Sequence, residues 1–252
     1  MLLPHKMRET DRIIFLHIPK TAGTSVYHYF CQLLGHERVG WLGVNFGFAD
    51  LQGACDFDRF KVIGGHFTRD QAGNIPFEKT FISLVREPFS RAESYYSHLM
   101  SIPSEAEVLG LTGDINCDLN GQFGQHIANQ QCAFLGLGTE RGAASRLVDD
   151  GNTGLAEFSD ADKLLGYIAE KLGLGHLPFP KENVRSSKEI LNLSTKSKEY
   201  LGAILYEDRE LLARVTLDHS KTTNQKLSRS PLRTASNALR SIFTFTRKVQ
   251  SL

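Results

Sequence analysis

The stretch RIIFLHIPKTAGTSV, residues 12–26, decides the fold. Residues 12–18 form a continuous apolar run closed by Pro19, the pattern of a strand buried on both faces of a parallel sheet. A helix follows, because Val26, Phe30, Leu33 and Leu34 recur at helical spacing and Gly35 sits where a helix commonly stops. The loop between them enters that helix. Such a loop leaves backbone N–H groups unpaired, aimed with the positive end of the helix dipole at any anion placed there. Gly23 permits close backbone approach, Lys20 adds a mobile charge, and Thr24 and Ser25 add hydroxyl donors. The string reads as an anion cradle; the plainer alternative is a strand-to-helix turn with a solubilising lysine.

Outward from this unit, FKVIGGHF (60–67) and KTFISLVR (79–86) read as two further strands, each ending in polar residues where a parallel sheet presents its carboxyl edge. Pro88 suits a first helical position, and FSRAESYYSHL continues as a helix. Strands alternating with helices predict a three-layer, P-loop-like α/β fold with a central parallel sheet flanked by helices. Helical patterns near 123–135, 160–172 and 196–215 make the second half mainly helical. Between about 101 and 122 periodicity is lost, so a surface loop is expected there, either beside a substrate or as a variable insertion.

The 252 residues suffice for one sizeable core, assigned to 1–218, with 219–252 as a basic tail. That tail carries Lys221, Lys226, Arg229, Arg233, Arg240, Arg247 and Lys248 without an acidic residue. Its readings are docking on its own domain, partial disorder, or peripheral contact with a membrane or a polyanion. A net charge of +1 with 41% hydrophobic residues excludes a bulk nucleic-acid binder. The short apolar run at the start is neither a signal peptide nor a transmembrane span, which predicts a cytoplasmic protein. Cys31, Cys55, Cys117 and Cys132 lack disulfide-framework or zinc-ligand spacing and are expected as free thiols. Oligomeric state is not legible.

A nucleotide-hydrolysing P-loop requires GxxxxGK[ST], and that order is absent, since Lys20 comes three residues before Gly23. The strings FLHIPKTAGTS, GGHF and LVREPFSRAESYYSHL, in this order and spacing, instead resemble the carbohydrate sulfotransferases typified by heparan sulfate 2-O-sulfotransferase, in a soluble bacterial form. Weaker likeness runs through HIANQQCAFLG and LPFPKENVRSS. The resemblance implies transfer of sulfonate from 3′-phosphoadenosine 5′-phosphosulfate (PAPS) to a carbohydrate or glycoconjugate hydroxyl, leaving 3′,5′-ADP and using no metal. It assigns the 5′-phosphosulfate to Lys20, Thr21, Ala22, Gly23, Thr24 and Ser25, and the 3′-phosphate to Arg86 and Ser94, whose eight-residue spacing matches the family. A guanidinium fork and a hydroxyl suit a phosphate dianion. A surface ion pair of Arg86 with Glu87 or Glu93 is the plainer reading.

Sulfonate transfer needs a base for the acceptor hydroxyl and stabilisation of charge on the transferring oxygens and leaving phosphate. Lys20 meets the second need as a catalytic residue. His66 is the first candidate base, ending a strand after two glycines at the same sheet edge, where the family carries its histidine. Glu87, Glu93, an acidic residue of 101–122, His17 and His126 rank behind it. Two competing functions stand beside this one, a nucleotide kinase or NTPase on the same framework and a protein that binds PAPS or glycan without turnover.

Overall fold

The computed structural model describes residues 1–53, 55–180 and 192–217. In chain order the main elements are β1 (Arg12–Leu16), α1 (Gly23–Leu34), β2 (Val39–Trp41), β3 (Val62–Gly65), α2 (Arg69–Ala72), β4 (Lys79–Val85) and α3 (Pro88–Met100). There follow α4 (Pro103–Val108), α5 (Ile115–Asp118), α6 (Gln122–Ile127), α7 (Gln130–Phe134), β5 (Thr153–Glu157), α8 (Ala161–Lys171), α9 (Thr195–Ile204) and α10 (Tyr206–Thr216). All five strands are parallel, in the order β2-β3-β1-β4-β5. β1 is therefore central, its Leu16 paired with Gly65 of β3 and its Phe15 with Ile82 of β4.

Burial explains the unbroken apolar run of β1. Ile13 and Phe15 face a core made with Val26, Tyr29 and Phe30 of α1 and Leu164, Leu165 and Ile168 of α8. Ile14 and Leu16 face the opposite core, which includes Phe67, Leu135, and Leu211 and Val215 of α10. A strand with helical layers on both faces has no polar side to show. The three-layer parallel α/β fold is as the sequence predicts. A third cluster joins Tyr96 and Leu99 of α3 with Phe123, Ile127 and Leu201. The four cysteines are free thiols.

Three expectations change. Two strands went unread, because β2 has three residues and β5, TGLAE, carries glycine and alanine where branched residues usually mark a strand. Residues 101–122 hold α4 and α5 rather than an open loop, with Ala106, Leu109, Ile115 and Leu119 buried. Asp118 knots this segment, accepting hydrogen bonds from Tyr96 Oη at 2.7 Å and from the Thr112 amide and hydroxyl at 2.9 and 2.8 Å. Helices of four to six residues are too short to display a helical period. The single pattern at 123–135 splits at Asn129, whose φ is 46°, and that at 196–215 splits at Leu205. Most of LPFPKENVRSS and the basic tail lie outside the described residues.

Helix α10 is fastened to α7 and α3 through its Asp208. Its carboxylate accepts the amides of Gln131 and Cys132 at 3.1 and 2.9 Å and faces the guanidinium of Arg91 at 3.9 Å, both side chains being fully buried. Arg91 also donates to Gln130 Oε1 at 2.6 Å. Asp208→Ala strands a buried cation and two amides. It should lower unfolding free energy by about 3–5 kcal/mol in chemical denaturation, and a loss below about 1 kcal/mol would contradict this account.

Candidate active site

Because the strands are parallel, the segments leaving β3, β1 and β4 emerge at one edge, the carboxyl edge, side by side. They bring His66, the 17–22 loop and Arg86 together. His66 Nδ1 donates to the carbonyl of His17 at 2.9 Å, and the two imidazoles stack with centroids 4.2 Å apart. Arg86 Nη1 donates to the carbonyl of Lys20 at 3.3 Å. Hydrogen bonds thus link all three segments.

The loop has an unusual backbone. Lys20 and Ala22 both take φ 69°, while Thr21 between them and Gly23 after them do not. Residues of alternating hand turn successive amides to one side, a concavity suited to anions. Left-handed non-glycine residues cost about 1–3 kcal/mol each and persist only when their surroundings over-determine them. Here Thr21 is wholly buried, with its hydroxyl donating to the Ile18 carbonyl at 2.8 Å, and the Gly23 amide donates to His17 Nε2 at 3.1 Å. Thr21 and Gly23 therefore serve the loop itself. Ser25 is buried as well, whereas Thr24 is exposed.

The glycines of GGHF have steric reasons. A Cβ on Gly64 would lie 2.1 Å from the Trp41 ring, and Gly65, at φ 154°, would set its Cβ 2.4 Å from that of Leu42. The chain can thus pass under β2 and deliver His66 to the edge.

Arg86 is held from both sides of its backbone. Its amide donates to Gln131 Oε1 at 2.9 Å and its carbonyl accepts from Gln131 Nε2 at 3.0 Å. The glutamine stands in for a neighbouring strand just where β4 ends. Next, Glu87 caps α3, its two carboxylate oxygens accepting the amides of Phe89 and Ser90 at 3.0 and 2.7 Å. Ser94 lies about two turns into α3, half-buried, and His98 one turn beyond it. Burial lowers the pKa of Arg86, with Glu87 and Glu93 opposing, yet a guanidinium stays charged.

The histidines are depressed. Burial holds His17 well below the ordinary 6.5, helped by the charges of His66 and Lys20. Crowding by protein lowers His66, whose hydrogen bond to His17 opposes this while the charges of His98 and Lys20 add to it. Solvent still reaches the His66 side chain.

Three of the other base candidates are engaged elsewhere. Glu87 is a cap, Asp118 of the 101–122 segment is the knot described above, and His126 meets Tyr95 Oη at 3.0 Å and Gln130 Nε2 at 3.3 Å. Tyr95 and Tyr96 are buried. Sequence reasoning missed His17 as a contact of His66, His98 as its neighbour, and Gln130 and Gln131 as supports of Arg91 and Arg86. Only the glutamine pair had a signal, the weak likeness in HIANQQCAFLG. The unread β5 also ends on a carboxylate, Glu157. A hollow of about 430 Å³ beside α8, lined by Asp162, Tyr167, Glu170 and His176, includes none of the edge residues.

A family model described as the sulfotransferase family matches residues 5–131. No curated protein matches the chain. Among solved structures, the crystal structure of a sulfotransferase from Alicyclobacillus acidocaldarius superimposes with a TM-score of 0.47 at 14% identity, covering 83% of this chain and 97% of that one. No helix of the described residues is long and apolar enough to cross a membrane.

The depressed histidines fix a pH dependence of stability. A group whose folded pKa lies below its unfolded value favours folding fully above the unfolded pKa, and that advantage is lost as pH falls. For His126, lowered to about 4 by burial and by Arg91, the window runs from 6.5 down to about 4. Each such group contributes a slope of up to about 1.4 kcal/mol per pH unit. Urea midpoints should fall between pH 7 and pH 5, and His126→Gln should flatten the decline; a flat wild-type profile would contradict the assignment.

Proposed function

The chain belongs to the sulfotransferase family, and on that premise we propose that it transfers the sulfonate of PAPS to a hydroxyl of a carbohydrate or glycoconjugate, with His66 as general base. The observation that carries this reading is the hydrogen-bonded edge on which the nest-like loop, His66 and Arg86 meet. The likeness of its motifs to the heparan sulfate 2-O-sulfotransferase type supports the carbohydrate acceptor and a histidine base. The same reading makes the enzyme cytoplasmic and independent of metal.

In this mechanism the loop Lys20, Thr21, Ala22, Gly23, Thr24 and Ser25 forms the seat for the 5′-phosphosulfate, with Thr21 and Gly23 bonded inward to hold its shape. Arg86 and Ser94 hold the 3′-phosphate, Arg86 being presented by Gln131 and already turned toward the loop through the Lys20 carbonyl. PAPS, when bound, supplies the sulfonate and a phosphate leaving group. Lys20 and the amino end of α1 stabilise negative charge developing beside them. His66 holds its proton on Nδ1 toward the His17 carbonyl, so Nε2 carries the lone pair that accepts the acceptor hydroxyl's proton. Its lowered pKa keeps the ring neutral at physiological pH.

A thermal-shift comparison separates this reading from a kinase or NTPase: 3′,5′-ADP should raise the melting temperature, and ATP with magnesium should not. A preference for ATP would overturn it. Arg86→Ala should weaken 3′,5′-ADP binding by roughly 1.5–3 kcal/mol in calorimetry, and unchanged affinity in a folded variant would remove Arg86 from the site.

His66→Asn should leave 3′,5′-ADP affinity near wild type while kcat falls by about 10²–10⁴, the usual contribution of a positioned base. Wild-type turnover should fall only as pH drops below the ordinary histidine range, because the folded pKa of His66 lies below 6.5. Near-wild-type turnover in a folded His66→Asn enzyme would falsify the role.

A further inference from the structure

His17 has no part in the chemistry above, yet it touches both halves of the site. Its Nε2 accepts the Gly23 amide at 3.1 Å, its ring stacks on His66 at 4.2 Å with planes 26° apart, and its carbonyl accepts from His66 Nδ1 at 2.9 Å. Phe15, stacked at 5.8 Å, and Trp41, tilted at 6.0 Å, back the ring. The fit to the loop is close, because a Cβ on residue 23 would lie 2.0 Å from His17 Nε2. Gly23 and His17 are a matched pair.

The bond also fills a vacancy at the start of α1. The N-cap residue is Ala22, which makes no side-chain capping bond, so His17 supplies an acceptor from outside the helix. Accepting at Nε2 requires a neutral ring with its proton on Nδ1. That Nδ1 is shut off from solvent without a hydrogen-bond partner among the described residues. Packing beside Phe15 and Trp41 would be met better by an apolar ring with no such orphan. The imidazole is therefore explained by its acceptor nitrogen, not by its volume.

Resting on the sulfotransferase reading, we propose that His17 is a positioning residue that couples the donor loop to the base, so that the seat of Gly23 and the orientation of the His66 ring change together. A loop that settles onto the donor moves the Gly23 amide, the amide carries the His17 ring, and the ring and carbonyl of His17 carry His66.

Nitrogen-15 NMR of the imidazoles in the full chain tests the geometry without activity. At neutral pH His17 and His66 should both be Nδ1–H tautomers, and a coupling across the hydrogen bond should join the Gly23 amide nitrogen to His17 Nε2. An Nε2–H tautomer at His17 overturns the proposal. Titration with 3′,5′-ADP should then shift the His66 signals in the wild type. In His17→Phe, which keeps a ring but loses the acceptor, the dissociation constant should rise about tenfold and the His66 response should largely vanish. His17→Gln, whose amide oxygen can accept from Gly23, should recover affinity more than kcat. A His17→Phe enzyme that binds 3′,5′-ADP and shifts His66 as the wild type does overturns the coupling. If that variant fails to fold, the wild-type tautomers and the Gly23 coupling decide. If the wild type does not bind 3′,5′-ADP, the donor reading fails, while the tautomers still judge the hold of His17 on the loop and His66.

Discussion

The structure depends on β1 standing in the middle of a wholly parallel sheet. Its backbone groups are satisfied by β3 on one side and β4 on the other, and its side chains are buried alternately against two helical layers. From Ile13 to Leu16 β1 accordingly carries no polar side chain. The ionisable residues that follow β1 and its two neighbours appear at the same edge: His17, His66 and Arg86 come directly after Leu16, Gly65 and Val85. Parallelism converts three separated sequence positions into one site.

Gathering basic groups there has a cost. Lys20, Arg86, His66 and His98 gather at one edge, and Lys20 and His98 both disfavour the charged form of His66. The arrangement suits a polyanion that would neutralise it, and it keeps a nearby imidazole unprotonated. The left-handed residues Lys20 and Ala22 add strain to the same few residues. Thr21 and Gly23, bonded inward to Ile18 and His17, are what hold that strained backbone in place.

The helical half contributes by way of its buried polar chain. Asp208 fixes the start of α7, whose Gln131 clamps the backbone of Arg86 and whose Gln130 holds Arg91 one turn into α3. Tyr95 and His126 close the other end of that chain. An ion pair buried this deeply adds little net stability when complete, but breaking it is costly because one charge is left buried without its partner. The position of Arg86 thus depends on a residue more than a hundred positions away.

The amino-acid sequence by itself determined the strand–loop–helix unit at 12–34, the strands that deliver His66 and Arg86, and the helix begun at Pro88. Each is written in local terms, as an apolar run, a helical spacing or a proline at a first turn, and local terms survive without knowledge of the fold. Chain order also sufficed to set the loop, His66 and Arg86 at a common edge once the sheet was taken as parallel. Only the tertiary structure decided the rest. The edge strands β2 and β5 are too short or too poor in branched residues to announce themselves, and α4 and α5 span less than the window a period requires. The bond from Gly23 to His17, the stack of His17 on His66 and the clamp of Gln131 on Arg86 join residues whose sequence environments carry no sign of one another. They exist because packing closes distances that no spacing along the chain encodes.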